Sequence, residues 1–338
     1  MKKTFLFFLM ITLCGCSGVG YEPLTETSGF ESPVATQTIP FATQTTIPIT
    51  LPLTATPTTT VEPTPQSVFP IFAHIAIVIL ENKEFGTVVG SNQMPNFNSY
   101  ASENTLLTQY YAPTHPSLPN YLALIGGDTF GINTDCIHCY VDAQSLPDLL
   151  EAANKTWKTY QERMPEPCYL GDGYQYAQKH NPFIYFTPIR ENQERCVKSI
   201  VPLTQLDVDI ATGSMPDFIF ISPDLCNSGH DCPLNVVDDW LGGIVPKLRT
   251  SLDATNQPYL IVLTFDEGQG NHGCCGLPDP AGGRVATVLI SPQVKSGFQD
   301  DTPYTHYSLL KTILAVWNLP ALGKTADPNN IQITAPWK

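Results

Sequence analysis

The chain has 338 residues, of which 42% are hydrophobic and 14% charged, so it can build a sizeable core and is not disordered throughout. Its 31 acidic residues outnumber its 17 Lys and Arg residues, and the formal net charge of −14 argues against broad nucleic-acid binding, which needs clustered positive charge. An anionic substrate would have to meet a local positive element, such as a metal ion, a helix N-terminus or a few placed side chains.

The first 15 residues resemble a secretory signal peptide. Two lysines precede an apolar stretch at 4–13, which is too short to span a bilayer. This stretch runs into Leu13-Cys14-Gly15-Cys16, a pattern that resembles the lipobox of bacterial lipoproteins. We predict cleavage before Cys16, lipidation of Cys16, and anchoring of the exported chain to the outer face of a bacterial membrane. An ordinary signal peptide cleaved nearby is the alternative.

A Thr/Pro-rich segment at 16–67 follows the signal peptide. Residues 17–67 contain 14 Thr and 8 Pro but no Lys or Arg. Such a composition buries too little apolar surface to offset the entropy lost on ordering, and proline keeps the chain extended. We therefore predict a disordered stalk at 16–67 that carries one compact domain at 68–338.

Apolar runs rich in β-branched and aromatic residues predict buried strands in this domain. The runs are 71–80, 217–222, 259–265 and 284–291. Helical patterns lie between them at 146–160, 238–252 and 307–317. The alternation predicts an α/β fold with a central, mostly parallel sheet and helices on both faces. Ligands in such folds bind beyond the carboxyl ends of the strands.

Two predicted strands end in clustered oxygen donors. Glu81 and Asn82 follow the first strand directly, and Asp266 and Glu267 follow the strand at 259–265. Adjacent acids at the end of a buried strand repel each other unless a cation neutralises them, and hard divalent metals prefer such oxygen ligands. The pattern predicts a metal site, although a polar loop start explains the first pair equally well.

The segment 112–127 contains a candidate nucleophile. Ser117 stands before Leu-Pro-Asn and an apolar helical stretch at 121–125, which makes it the predicted N-cap of a helix. Capping alone would explain a serine there. A hydroxyl beside a metal and a helix N-terminus is also poised to attack a phosphate, and Asn120 could donate its amide to the phosphoryl oxygens.

The eight cysteines beyond the stalk suit an exported protein. Sequence proximity suggests the disulfides Cys136–Cys139, Cys168–Cys196 and Cys226–Cys232, which leaves the neighbours Cys274 and Cys275 as a fourth pair. A zinc site that includes Cys136 and Cys139 is the alternative.

Several blocks of this sequence together resemble the phosphoesterase family of bacterial acid phosphatases and non-haemolytic phospholipases C, within the alkaline phosphatase superfamily. The most specific blocks are ILENKEFG at 79–86 and THPSLPNYLALIGG at 114–127. The further blocks lie at 135–139, 158–167, 179–183, 224–232, 264–268, 282–292 and 304–308.

The resemblance implies roles for individual residues. Ser117 would be the nucleophile, with Thr114 as second choice, and a divalent metal would be held by Glu81, Asn82, Asp266 and Glu267. His230 and His306 would flank the phosphate, as ligands of a second metal together with Asp224 or as acid and donor to the leaving group. We also expect Lys179, His180 and Asn181 to line the substrate pocket, although a structural role explains His180 equally well.

The resulting hypothesis is metal-dependent hydrolysis of phosphate monoesters through a phosphoserine intermediate. A phosphodiesterase of the phospholipase C type would share the fold and the nucleophile. A non-catalytic binding protein on the same fold is the third possibility. The metal could be Mg, Mn, Ca or Zn, in one site or two, and we expect no nucleic-acid partner.

Overall fold

The structure is a computed structural model that describes residues 69–338. The predicted signal peptide, the lipidation site Cys16 and the stalk lie outside the described residues. Within 69–338, no helix is both long enough and apolar enough to span a bilayer.

A nine-stranded sheet forms the centre of the domain, with the order β4-β3-β5-β1-β6-β7-β2-β8 and with β9 beside β2. The strands are β1 His74–Leu80, β2 Thr105–Tyr111, β3 Trp157–Gln161, β4 Ile200–Pro202, β5 Phe218–Ser222, β6 Tyr259–Phe265, β7 Arg284–Ile290, β8 Phe298–Asp300 and β9 Tyr304–Thr305. Every pairing is parallel except those of β7 with β6 and β2. The predicted α/β class and mostly parallel sheet are confirmed.

The central strands place the two acidic strand ends side by side. All side chains of β1 and β6 are buried, as expected for strands covered on both faces. Their parallel register pairs Leu80 with Phe265, so Glu81 and Asp266 leave the sheet at the same level. The apolar pattern of two distant segments therefore brings together carboxylates that are far apart in sequence.

The reversal of β7 was not predicted. Because β7 runs antiparallel to β6, its first residue, Arg284, lies at the edge where β1 and β6 end. The Arg284 side chain donates from Nε to the Thr108 carbonyl at 2.7 Å and stacks on Phe85, with 3.8 Å from the guanidinium carbon to the ring centre.

Helices surround the sheet. They are α1 Phe85–Val88, α2 Pro95–Glu103, α3 Ser117–Gly126, α4 Leu146–Ala152, α5 Thr187–Arg190, α6 Gln193–Ser199, α7 Gln205–Thr212, α8 Leu234–Asp253 and α9 His306–Val316. Among them, α2 packs on α8, and α3 packs on α9.

The predicted helix at 146–160 is wrong in its second half. Helix α4 ends at Ala152, Asn154 has a left-handed φ of 57°, and β3 begins at Trp157. The left-handed residue breaks the helical path, and the aromatic and β-branched residues that follow suit a strand.

The four disulfides suggested by sequence proximity are all present in the structure. Three of them join cysteines only 1, 3 or 6 positions apart, and the fourth, Cys168–Cys196, spans 28 positions. The structure thus uses Cys136 and Cys139 in a disulfide rather than in the alternative zinc site.

Candidate active site

Glu81 is the centre of a buried hydrogen-bond cluster at the end of β1. Its Oε2 accepts hydrogen bonds from Ser117 Oγ at 3.2 Å and from Asn82 Nδ2 at 2.9 Å. Its Oε1 accepts one from the Tyr121 hydroxyl and lies 3.3 Å from His180 Nε2. The Glu81 carboxyl group is wholly buried, so these four neighbours fix its position out of contact with water.

Asp266 carries negative charge without full compensation. Its Oδ1 accepts the Asn82 backbone N–H at 3.0 Å, but its buried Oδ2 has no hydrogen-bond partner within residues 69–338. Burial and the Glu267 carboxylate raise the pKa of Asp266 to about 7, although the hydrogen bond from the Asn82 backbone N–H acts in the opposite direction. Burial and Asp266 likewise raise the pKa of Glu81 well above its usual value. The two strand ends thus form a site that favours a cation.

Ser117 opens helix α3 but does not cap it. The N-cap is Pro116, and the Ser117 hydroxyl turns to Glu81 instead of to the helix backbone. Asp135 Oδ1 accepts the Leu118 backbone N–H at 3.0 Å, so a side chain outside the helix satisfies a backbone donor of its first turn. The predicted capping role of Ser117 is therefore wrong, and its buried hydroxyl belongs to the carboxylate cluster.

Asn120 is placed differently from its predicted role as a phosphate ligand. Its Nδ2 donates to the carbonyls of Thr114 at 2.8 Å and Pro116 at 3.0 Å, and to Glu267 Oε2 at 3.2 Å. Its Oδ1 accepts the Thr114 backbone N–H. Because both amide hydrogens are already used, Asn120 shapes the loop before Ser117 and ties that loop to Glu267.

His115 adds a positive charge beside Glu267. Its Nδ1 lies 2.8 Å from Glu267 Oε2, and its Nε2 donates to the Gly270 carbonyl at 2.9 Å. The hydrogen bond to Glu267 raises the pKa of His115 to about 9. The neighbouring Thr114 hydroxyl donates to the His115 carbonyl at 3.2 Å and makes no hydrogen bond to Glu81, which favours Ser117 over Thr114 as nucleophile.

Lys179 and His230 lie together in the partly exposed part of the site, which we call its mouth. Lys179 Nζ is 2.8 Å from Asp135 Oδ2 and 3.4 Å from His230 Nε2. The other ring nitrogen of His230, Nδ1, is 2.6 Å from Asp231 Oδ1. Burial alone would lower the pKa of Lys179, but Asp135 and the inner carboxylates keep it above its usual value, so the ammonium stays charged.

His180 and Asn181 lie deeper than a pocket lining. The His180 ring stacks on Tyr121 with 5.4 Å between ring centres, and burial lowers its pKa well below the usual value. Asn181 is also buried and donates from Nδ2 to the Tyr176 hydroxyl at 3.0 Å. Both side chains therefore lie in the protein interior, and His180 packs against Glu81 and Tyr121.

His306 and Asp224 depart most from their predicted roles. His306 is wholly buried, with Nε2 donating to the Asp266 carbonyl at 2.6 Å and Nδ1 3.1 Å from the Tyr110 hydroxyl. Burial lowers its pKa to about 4, so it is a neutral ring that braces the backbone at Asp266. Asp224 accepts the backbone N–H groups of Cys226 and Asn227 and organises the disulfide loop. Neither side chain is free to flank a phosphate.

The donors converge, but they do not form a finished metal centre. Within residues 69–338, no three His, Cys, Asp or Glu side chains stand in the arrangement of a metal site. The unpartnered Asp266 Oδ2 and the oxygen-only chemistry of the neighbouring donors nevertheless fit a hard divalent cation. The fit rests on Glu81, Asn82, Asp266 and Glu267 and leaves Asp224 outside the set.

Sequence reasoning missed Glu84, which holds the loop after β6. Its carboxylate accepts the backbone N–H groups of Gln269 and Gly270, both at 3.0 Å, and of Arg284 at 3.1 Å. A Cβ at Gly268 would collide with this carboxylate. Tyr121, the partner of Glu81, was missed as well. Both residues lie inside the two most specific sequence blocks, which was the one available signal.

Comparison with protein families finds a match across most of the domain. The model of the Phosphoesterase family matches residues 91–320, more than half of the chain. The matched range contains Ser117, Lys179, Asp266 and Glu267, and it begins after Glu81 and Asn82.

Among curated proteins, an acid phosphatase of Aspergillus fumigatus is 34% identical over 272 residues, covering 76% of this chain and 58% of the relative. The chain therefore spans less than two thirds of that relative's length. A phosphatidylinositol-3-phosphatase of Mycobacterium tuberculosis is 30% identical over 264 residues, covering 76% of this chain and 81% of the relative.

Among solved structures, a Vibrio parahaemolyticus protein of the alkaline phosphatase superfamily superposes with a TM-score of 0.53. The match covers 80% of this chain and 72% of the other at 13% identity. At that identity the likeness establishes the fold alone, and it agrees with the predicted alkaline phosphatase-like architecture.

Proposed function

The chain belongs to the Phosphoesterase family, and from that premise we propose that it hydrolyses phosphate monoesters with Ser117 as nucleophile and with a divalent metal as cofactor. The observation that carries the proposal is the Ser117 hydroxyl, buried at the first turn of α3 and 3.2 Å from Glu81 Oε2. A buried serine whose hydrogen already points at a carboxylate is ready to lose its proton when it attacks.

Monoesters are favoured by the names of the relatives. The curated relatives described above are called acid phosphatase and phosphatidylinositol-3-phosphatase. Phosphatases of this kind remove a terminal phosphoryl group, and transfer of that group depends on in-line positioning and on neutralisation of charge. The cluster at the ends of β1 and β6 offers both a fixed nucleophile and donors for a cation.

The proposed reaction has two displacements. Ser117 Oγ attacks phosphorus as its proton passes towards Glu81 Oε2, and the bond from phosphorus to the leaving oxygen breaks. The leaving oxygen takes up a proton, a step that we assign to His230, the partly exposed histidine 3.4 Å from Lys179 Nζ. Water then attacks the phosphoserine and gives a proton back to His230, the bond from phosphorus to Ser117 Oγ breaks, and Ser117 Oγ regains its proton from Glu81 as phosphate leaves.

Glu81, Asn82, Asp266 and Glu267 would hold the metal. A divalent cation there would supply positive charge that stabilises the serine alkoxide and the phosphoryl oxygens. Asn82 orients the donors, because its side chain donates to Glu81 while its backbone N–H donates to Asp266. His115 and Asn120 hold Glu267 in place from the other side.

The test combines turnover with detection of the intermediate. The purified chain should hydrolyse p-nitrophenyl phosphate, lose this activity on chelation and regain it with one divalent ion. Rapid acid quenching followed by peptide mass spectrometry should find a phosphoryl group on Ser117, and Ser117→Ala should abolish both signals. Phosphorylation of Thr114 instead would replace the nucleophile, and activity that survives exhaustive chelation would overturn the metal dependence.

We also propose that the enzyme is exported and lipid-anchored to the outer face of a bacterial membrane through Cys16. The support is the signal-like segment and lipobox pattern at residues 1–16. Expression in a bacterium should place the full chain in the membrane fraction, and Cys16→Ser should release it. An unchanged distribution of the variant would reject the anchor and leave the enzymatic proposal intact.

A further inference from the structure

Asp135 ties Lys179 to the start of α3, the helix that carries the proposed nucleophile. Its ammonium binds Asp135 Oδ2 at 2.8 Å, while the other oxygen of Asp135 accepts the backbone N–H of Leu118, the residue after Ser117. One carboxylate therefore joins the lysine to the first turn of the helix that carries the nucleophile. The Lys179 side chain is only 20% exposed, so it is confined rather than free in solvent.

The Lys179 ammonium has a hydrogen-bond donor to spare. It carries three N–H groups. Two of them face Asp135 and His230 Nε2, and no third acceptor lies at hydrogen-bond distance within residues 69–338. An anion bound at the mouth would accept the third N–H group of Lys179.

The charged and titratable groups that face Lys179 determine which anions its ammonium favours. They are the carboxylates of Asp135, Glu81 and Asp266 and the rings of His180 and His230. A phosphoryl group close to Ser117 enters a region with several carboxylates and needs a positive partner. A monoester carries a second negative charge above about pH 6, whereas a diester has a single charge at any such pH. The monoester therefore depends more on a fixed cation.

We propose that Lys179, positioned by Asp135, binds a non-bridging phosphoryl oxygen and selects monoester dianions over diesters. This inference rests on the proposed function and adds the residue that decides its substrate class. A lysine that merely oriented His230 would affect both ester classes alike, because proton delivery to the leaving oxygen is common to both.

The central experiment compares p-nitrophenyl phosphate with bis(p-nitrophenyl) phosphate. In Lys179→Gln, kcat/KM for the monoester should fall about 10- to 100-fold near pH 7.5, the usual worth of one charge-assisted hydrogen bond. The diester rate should change by less than about threefold. Near pH 5, where the monoester carries one charge, the loss should shrink towards that of the diester.

Two variants on the same pair sharpen the result. Lys179→Arg should restore part of the monoester preference, because it keeps the charge. Asp135→Asn keeps an oxygen for the Leu118 N–H but loosens Lys179, so it should shift the preference in the same direction as Lys179→Gln and by less.

The matched control is Lys158→Gln. Lys158 is also 20% exposed and pairs with a single aspartate, Asp209, at 2.6 Å, but it lies on β3 and not at the mouth. Its loss should lower stability and leave the monoester-to-diester ratio unchanged. An equal loss on both esters in Lys179→Gln, or no loss, overturns this inference. An inactive wild-type chain would instead refute the proposed function.

Discussion

Asp238 and Asp266 are both buried aspartates, yet the protein surrounds them differently. Asp238, on α8, accepts the backbone N–H groups of Asn96 and Phe97 at the start of α2, each at 2.9 Å, and the Asn96 side chain as well. Asp266 receives one backbone N–H and keeps its Oδ2 without a partner in the described part of the chain.

This difference indicates that Asp238 has a structural role and Asp266 a chemical one. At Asp238 the helix N-terminus supplies donors and a favourable dipole, so the charge stabilises the packing of α2 on α8. At Asp266 burial and a second carboxylate close by raise the pKa to about 7. A fold keeps such an uncompensated group at a cost in stability, which points to a ligand that balances it.

The largest expected effect comes from Asp266→Asn. The variant keeps Oδ1 for the Asn82 N–H and removes the charge, so kcat/KM on p-nitrophenyl phosphate should fall at least about 100-fold. Its free energy of unfolding should stay equal or rise, because a repulsive buried charge is gone. Urea unfolding beside the kinetics checks both, and a marked loss of stability would remove the contrast with Asp238.

Asp238→Ala should give the opposite outcome. It removes the acceptor of three hydrogen bonds, one of them from the buried Phe97 N–H, so the free energy of unfolding should drop by about 3 kcal/mol. Activity per folded molecule should remain unchanged, since Asp238 contacts α2 and not the site. The measurement is urea unfolding with an active-site titration, and a loss of activity in fully folded protein would contradict this reading.

Glu84→Gln probes the loop that carries Glu267. The amide must turn an N–H group towards backbone N–H donors, so the loop should shift and kcat/KM should fall about tenfold. Glu103→Gln, an exposed change at the end of α2, is the matched control and should leave activity unaltered. If both variants keep full activity, the loop does not depend on Glu84.

The smallest expected effect concerns Asp209. Burial would raise its pKa, but hydrogen bonds from Lys158, Tyr160 and Gln205 lower it below the usual value. Its stabilisation is therefore complete above about pH 4, the unfolded value, and is lost as the pH falls through the lower folded value. Urea unfolding between about pH 2 and 6 should show that the free energy of unfolding decreases as the pH falls. In Lys158→Met this decrease should be smaller, by under about 1 kcal/mol.

The strands of the centre could be read from the sequence because burial on both faces demands long apolar runs. The runs at 259–265 and 284–291 match β6 and β7 to within a residue. The strands next to the two edge strands, β3 and β2, were missed because they mix polar and apolar residues, and a helical pattern was read across β3. Half-buried strands carry a weaker signal than buried ones.

The residues of the candidate site likewise fall into some that the sequence predicts and some that it does not. Glu81 and Asp266 could be named because each directly follows a buried strand, and Ser117 because it lies in a specific sequence block before an apolar helical stretch. The placements of Asn120, His306 and Asp224 could not. Asn120 and His306 bind groups far away in sequence, such as Glu267 and the Asp266 carbonyl, and a side chain's partner is not encoded in its neighbours.

The sequence by itself determined the α/β class, the strand ends that carry carboxylates and the block around Ser117, because hydrophobic burial and local motifs are written in order along the chain. Tertiary structure alone decided the reversal of β7, the partners of each polar side chain and the confinement of Lys179 by Asp135. Those features depend on distances across the fold, and a hydrogen bond or ion pair exists only where packing brings two distant groups within about 3 Å.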